Sequence, residues 1–257
     1  APLGHIAARL HAIGNQAHQV LSPGPYRPMV LVLGHAGLAT GEDGPTHADP
    51  QALQVVQEGF PSGALISLTP WDPQELWHLM GEALAARPAV IAPVVTRPPE
   101  VVLDREALGL APAAAARRGV YRLRRAAGRP DATVVLQGSE VALAFIRDTL
   151  PRLAADGLDV EAFYVASVEL FDRLPAEERR AVFAEDQART ALGITGFTLP
   201  TMYRWVSSER GRAATLHPFR KGHYLGSGPA ERVLEEAGLD GRSQHEAIKR
   251  YATGSAL

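Results

Sequence analysis

Gly41-Glu42-Asp43-Gly44-Pro45-Thr46-His47 brings a carboxylate pair, two glycines, a proline and an imidazole into one short run. The run follows a solid apolar segment, Met29 to Leu33, and precedes a helix-like segment that starts near Pro50. It therefore sits where a strand hands over to a helix, which in open α/β sheets is the ligand end. The glycines reach backbone conformations closed to other residues and Pro45 restricts one φ angle, so His47 and Asp43 are aimed with little entropy left to lose. Preorganised polar groups of this kind are what a site needs.

Working outward, composition narrows the function classes. The 257 residues are 46% hydrophobic and 21% charged, with a formal net charge of -2. These are the proportions of a globular protein with a sizeable core, and they give no electrostatic case for nucleic acid or an anionic membrane. Small-molecule chemistry is favoured. There is no cysteine, which excludes disulfides and thiolate metal sites and leaves an oxidising compartment without support, so a cytoplasmic location is expected. Histidines and an arginine interrupt the N-terminal stretch Ala1 to Gln19, which spoils a signal-peptide core, and no apolar run approaches the roughly 20 residues of a membrane span. The sequence starts without methionine inside an amphipathic pattern, with Ile6, Leu10, Ile13 and Ala17 on one face, and a processed or truncated product is expected.

In chain order, Ser22 to Pro25 reads as a turn, and Met29 to Leu33 as a strand covered on both faces. A helix from about Pro50 to Glu58 leads to a buried strand, Ala64 to Leu68. Asp72 is placed to N-cap a helix with Pro73 at its first position, and Leu76, Trp77, Met80 and Leu84 form its stripe, with Trp77 expected in the core. Ala89 to Val95 is a third buried strand. Strands alternating with helices imply a parallel sheet. From Pro98 to Arg118 prolines, charges and an alanine run carry no sustained periodicity and read as an interdomain linker. A second unit starts near Gly119, with strands Thr133 to Gln137 and Val160 to Val165 and a helix opened by Gly138-Ser139-Glu140. The expected fold class is α/β: two α/β units with mainly parallel sheets joined by a proline- and alanine-rich linker. Arg117, Arg118, Arg122, Arg124 and Arg125 lack aromatic interleaving beyond Tyr121 and read as a solvated surface or a subunit contact rather than an RNA site, and His217, Lys221 and His223 read as loop residues without metal-ligand spacing.

The string GEDGPTH, preceded by Gly34-His35-Ala36-Gly37 and followed by Ala48-Asp49-Pro50, closely resembles the signature of transketolases. The resemblance continues at Gly138-Ser139-Glu140-Val141, at Ser167-Val168-Glu169-Leu170-Phe171-Asp172 and at Gly226 to Pro229, in the family's order. It implies that residues 1–98 are part of a pyrimidine-binding domain, 99–118 a linker and 119–257 a C-terminal domain. By position in the motif, His47 is similar to the histidine near the reacting hydroxyl and carbonyl, and Asp43 to a carboxylate on a substrate hydroxyl. His35 and Arg97 match substrate-phosphate ligands, a task the guanidinium fork suits.

The resemblance also implies transfer of a two-carbon ketol unit between sugar phosphates, with thiamine diphosphate as electron sink and a divalent metal, Mg or Ca, anchoring it. The family's Gly-Asp-Gly metal motif and its Arg-Glu-His cofactor-activating motif have no counterpart here, so cofactor and metal are expected to be held mainly outside this chain, and no cofactor-binding or metal-ligating residue is named. The implied partners are sugar phosphates and an N-terminal diphosphate-binding portion or subunit, in a homodimer of the complete enzyme, with the chain inactive alone. Ala36-Gly37 replaces the family's Asp-Ser and Pro98 its Gln. That lead-in is closer to deoxyxylulose phosphate synthases, so that enzyme, a 2-oxo acid dehydrogenase E1, or a non-catalytic subunit of a split enzyme are the alternatives.

Overall fold

A computed structural model describes residues 2–21, 27–34, 37–38, 49–96, 100–226 and 228–254. The chain runs through helix α1 (Pro2–Leu21), strand β1 (Met29–Val30), helix α2 (Ala52–Glu58), strand β2 (Leu65–Leu68), helix α3 (Pro73–Ala86) and strand β3 (Val90–Pro93). These strands form a parallel sheet in the order β1-β3-β2. Two of the three predicted buried strands, β2 and β3, are buried at every position, as their unbroken apolar runs require. The turn expected at Ser22 to Pro25 lies outside the described residues.

The second sheet has the order β4-β6-β5-β7, from strands β4 (Val120–Arg124), β5 (Ala132–Gln137), β6 (Val160–Val165) and β7 (Ala191–Thr195). Only β4 runs antiparallel. Helices α4 (Ser139–Ala144), α5 (Leu150–Ala155), α6 (Val168–Asp172), α7 (Ala176–Val182), α8 (Glu185–Thr190), α9 (Glu209–Ala214), α10 (Ala230–Ala237) and α11 (Gly241–Thr253) surround it. Among the described residues the two sheets pair no strands with each other, yet one hydrophobic cluster runs from Ile66, Leu68 and Ile91 through Leu123, Val134 and Leu136 to Ile248.

Three expectations need correction. Trp77 is 85% exposed, because α3 buries Glu75, Leu79 and Ala83 instead, a face turned by about one residue. Glu75 turns inward because a buried arginine and tyrosine await it. In α1, Ile6, Leu10 and Ile13 are exposed and Ala8 is fully buried. Small residues at i, i+4 and i+8 (Gly4, Ala8, Ala12) let this helix approach β1 so closely that a Cβ on Gly4 would lie 3.1 Å from Leu31 Cδ1. The β1 run is covered on one face only: Val30 and Val32 are exposed, while Met29, Leu31 and Leu33 pack inward.

Strand β4 went unread in the sequence because its arginines drew attention. Its own pattern is period two, with Tyr121 and Leu123 buried and Arg122 and Arg124 outward. Four of the five clustered arginines pair with carboxylates: Arg117 with Glu82, Arg118 with Glu178, Arg122 with Glu161 and Arg124 with Asp159. Two helices, α10 and α11, follow the Gly226 to Pro229 segment. His223 and Lys221 tie the preceding loop to Glu236 of α10.

Candidate active site

The strand ends fix where the chemistry would gather. Leu33 bridges to Val94 in parallel, and Val95 N–H donates to Leu33 O at 3.1 Å. Gly34, which opens the way to the signature run, and Thr96, which precedes Arg97, thus follow directly on paired positions at the carboxyl end of one sheet. The four residues singled out by motif, His35, Asp43, His47 and Arg97, lie outside the described residues. What is described is their frame. Upstream, Leu38 is buried in the main cluster; downstream, Asp49 O accepts from Ala52 N–H at 3.0 Å to start α2.

Against that frame stand carboxylates whose depth the sequence did not reveal. Glu140 opens α4 after β5, is buried, and accepts from Leu38 N–H at 3.2 Å across 102 residues of chain. Burial pushes its carboxyl above the usual range, and the hydrogen bonds from its own backbone and Leu38 offset only part of that. Glu100, just beyond Arg97, is also raised by burial, with Ser139 and Thr96 as hydrogen-bond partners. The Glu100 to Ser139 hydrogen bond brings the segments after β3 and β5 together, and Ser139 Oγ also lies 3.4 Å from Glu140 Oε2. Gln137, at the end of β5, is fully buried with both side-chain polar atoms unpartnered.

Two further carboxylates, Glu75 fully buried and Glu169 partly buried, stitch the sheets together. Glu169 accepts from Ser67 N–H at 3.0 Å and Ser67 Oγ at 2.8 Å. Beside it Thr69 N–H donates to Ala166 O at 2.7 Å, and Tyr164 OH to Thr69 O at 2.6 Å. Glu75 accepts from Arg105 at 3.0 Å and from Tyr121 OH; Arg105 also reaches Asp72 Oδ2 at 3.2 Å and lies over the Trp71 ring. Arg105 comes from the stretch read as linker and is held by Asp72, Glu75 and Trp71 of the first unit, while Tyr121 of the second unit donates to the same Glu75. Asp72 meanwhile caps α3 as its sequence predicted, accepting from Gln74 N–H at 2.7 Å. Each of Glu75, Glu140 and Glu169 lies in the first turn of a helix that follows a strand, a position legible in the sequence that does not by itself tell how deep the carboxylate lies.

No protein-family model matches the chain. A transketolase of Aquifex aeolicus is 27% identical over 193 residues, which are 75% of this chain and 27% of that protein. The transketolase of Leishmania mexicana superposes with a TM-score of 0.71 at 20% identity, over 98% of this chain and 32% of that one. A split-gene transketolase, described as an inactive beta4 tetramer, superposes with a TM-score of 0.56 at 14% identity, over 95% of this chain and 74% of that one. This chain is related to transketolases. It spans less than a third of the length of the curated transketolases it matches.

A transketolase-like chain raises the question of a metal-bound diphosphate. Among the described residues no group of three or more histidine, aspartate or glutamate side chains is arranged to hold a metal ion. The buried and partly buried carboxylates are committed to Leu38, Ser67, Arg105 and Tyr121, so these residues do not fit that half of the cofactor. A cavity of about 460 Å³ lined by Arg9, Gln16, Phe60, Arg87 and Ala89 opens instead at the amino ends of β2 and β3. Gly59 and Arg87, the C-caps of α2 and α3, line it, so two helix carboxyl ends lie there beside the guanidinium groups of Arg9 and Arg87. No helix among the described residues is long and apolar enough to cross a membrane.

Proposed function

We propose that this chain supplies the sugar-handling part of a transketolase-type thiamine diphosphate enzyme, which transfers a two-carbon ketol unit between sugar phosphates. The observation that carries the reading is the Gly41 to His47 motif, which in the sequence follows a strand of a parallel sheet, in a chain similar to transketolases. In this reading His47 moves a proton at the reacting hydroxyl and carbonyl, Asp43 holds a substrate hydroxyl, and His35 and Arg97 take the distal phosphate. Residues 1–98 are part of the pyrimidine-binding domain, 99–118 the linker and 119–257 the C-terminal domain. Thiamine diphosphate and its divalent metal are assigned to a diphosphate-binding portion or subunit, in a cytoplasmic homodimer of the complete enzyme.

The likeness to a split-gene transketolase favours a separate partner subunit as the source of that portion. The Gly34-His35-Ala36-Gly37 lead-in supports a second reading, a deoxyxylulose phosphate synthase or 2-oxo acid dehydrogenase E1. Assaying the chain alone, and combined with a diphosphate-binding partner, on ketose and aldose phosphates and on pyruvate distinguishes them. The expected outcome is no turnover alone and two-carbon transfer without decarboxylation in the combination; pyruvate decarboxylation would favour the second reading. In the active combination His47→Ala should lower kcat about a hundredfold or more, the scale of a lost proton-transfer group, with a much smaller change in cofactor affinity. Unchanged turnover would remove His47 from the site.

A further inference from the structure

We propose that Glu140 is a positioning residue for the signature loop: from the first turn of α4 its carboxylate clamps the loop's root at Leu38. This deepens the proposed function and rests on it. Leu38 stands three positions before Gly41; its side chain is 2% exposed, and its N–H donates to Glu140 Oε1 at 3.2 Å. The loop therefore departs from a point fixed by both packing and a hydrogen bond, and the second half of that fixing comes from the other sheet.

The glycines around this carboxylate make the assignment specific. A Cβ on Gly37 would lie 3.1 Å from Glu140 Oε1, one on Gly138 3.5 Å from Oε2, and one on Gly196 2.0 Å from Oε1. Gly37 and Gly138 have φ of 131° and 114°, which a side chain would strain in any case. Gly196 is not among the positive-φ glycines, so there the missing side chain serves space alone. Three segments, following β1, β5 and β7, thus clear room for one carboxylate. A buried carboxylate is costly unless its acceptor is used, and an apolar side chain would fill the same room more cheaply. The donor it satisfies, Leu38 N–H, is the one that sets the loop's point of departure.

Three variants of the full chain test this. Glu140→Gln keeps an acceptor oxygen, Glu140→Leu removes it, and Gly196→Ala pushes the carboxylate off Leu38 without touching Glu140. Hydrogen exchange at Leu38, with proteolysis within residues 39–48, should rise about tenfold in Glu140→Leu and Gly196→Ala, the scale of one lost hydrogen bond to a charged group. Glu140→Gln should stay within about threefold of the native chain, because its amide oxygen can still accept. In the catalytically active combination with the diphosphate-binding partner, kcat should follow the same ranking while KM moves less.

Native-like exchange in all variants would overturn the clamp, as would a Gln variant as loose as the Leu variant. Loosening without a fall in kcat would overturn its positioning role. Absence of ketol transfer by the native combination would instead remove the proposed function, with the exchange result still deciding whether Glu140 holds Leu38.

Discussion

The Glu75 carboxyl, fully buried, is pushed up to about 7 by loss of water, and Arg105 and Tyr121 pull it back only in part. In the unfolded chain it titrates near 4.5. The folded form thus holds its proton more tightly, and the resulting stability is fully present below pH 4.5 and lost as pH rises through 7. The shift is worth on the order of 3 kcal/mol. Glu75→Gln lacks this term, so its stability relative to the native chain should climb as pH goes from about 5 to about 8. Urea unfolding across that window reads the difference; a constant gap would mean that Glu75 is ionised throughout. No residue pattern announced this, since Glu75 looks like an ordinary first-turn glutamate until Tyr121, far along the chain, is packed against it.

Helix α3 shows how an element's existence and its rotation come from different sources. Asp72 and Pro73 dictate where it starts, through a side-chain cap and a preset φ, and both are local. Its buried face is decided by partners elsewhere: Arg105 and Tyr121 draw Glu75 inward, which carries Leu79 and Ala83 in and leaves Trp77 in solvent. Leu79→Ala should therefore cost about 2–5 kcal/mol, as a fully buried leucine does, whereas Trp77→Ser should stay within about 0.5 kcal/mol. Thermal unfolding of the two variants checks the register, and a large loss at Trp77 would refute it. Helix α1 follows the same logic, with Gly4 and the alanines meeting the sheet because closeness of approach, rather than side-chain size, decided the contact.

At the scale of the molecule, two sheets that share no strand pair among the described residues are held by one apolar cluster and by bonds between strand ends: Glu169 to Ser67, Thr69 to Ala166 and Tyr164 to Thr69. Glu75 adds a further tie, accepting from Tyr121 of β4 as well as from Arg105. Such coupling makes independent opening of either half costly, so the chain should unfold in a single transition. Hydrogen exchange in rising denaturant should expose amides of β2 and β6 together; earlier opening of β2 would show the first sheet to be an autonomous unit.

The sequence by itself determined the α/β class, the buried strands β2, β3, β5 and β6, the Asp72 cap and the signature run, because apolar continuity, capping and turn chemistry are written in neighbouring residues. Strand β4 was legible too, in the alternation of Tyr121 and Leu123 with Arg122 and Arg124. Only the tertiary structure decided which face of α1 and α3 is buried, that Val30 and Val32 stay exposed, and that Glu75 and Glu140 are buried and Glu169 a partly buried anchor. The partners of those carboxylates lie 30 to 46 residues away for Glu75 and 102 for the other two. Burial of a charge depends on what the rest of the fold brings against it, and no local pattern encodes that.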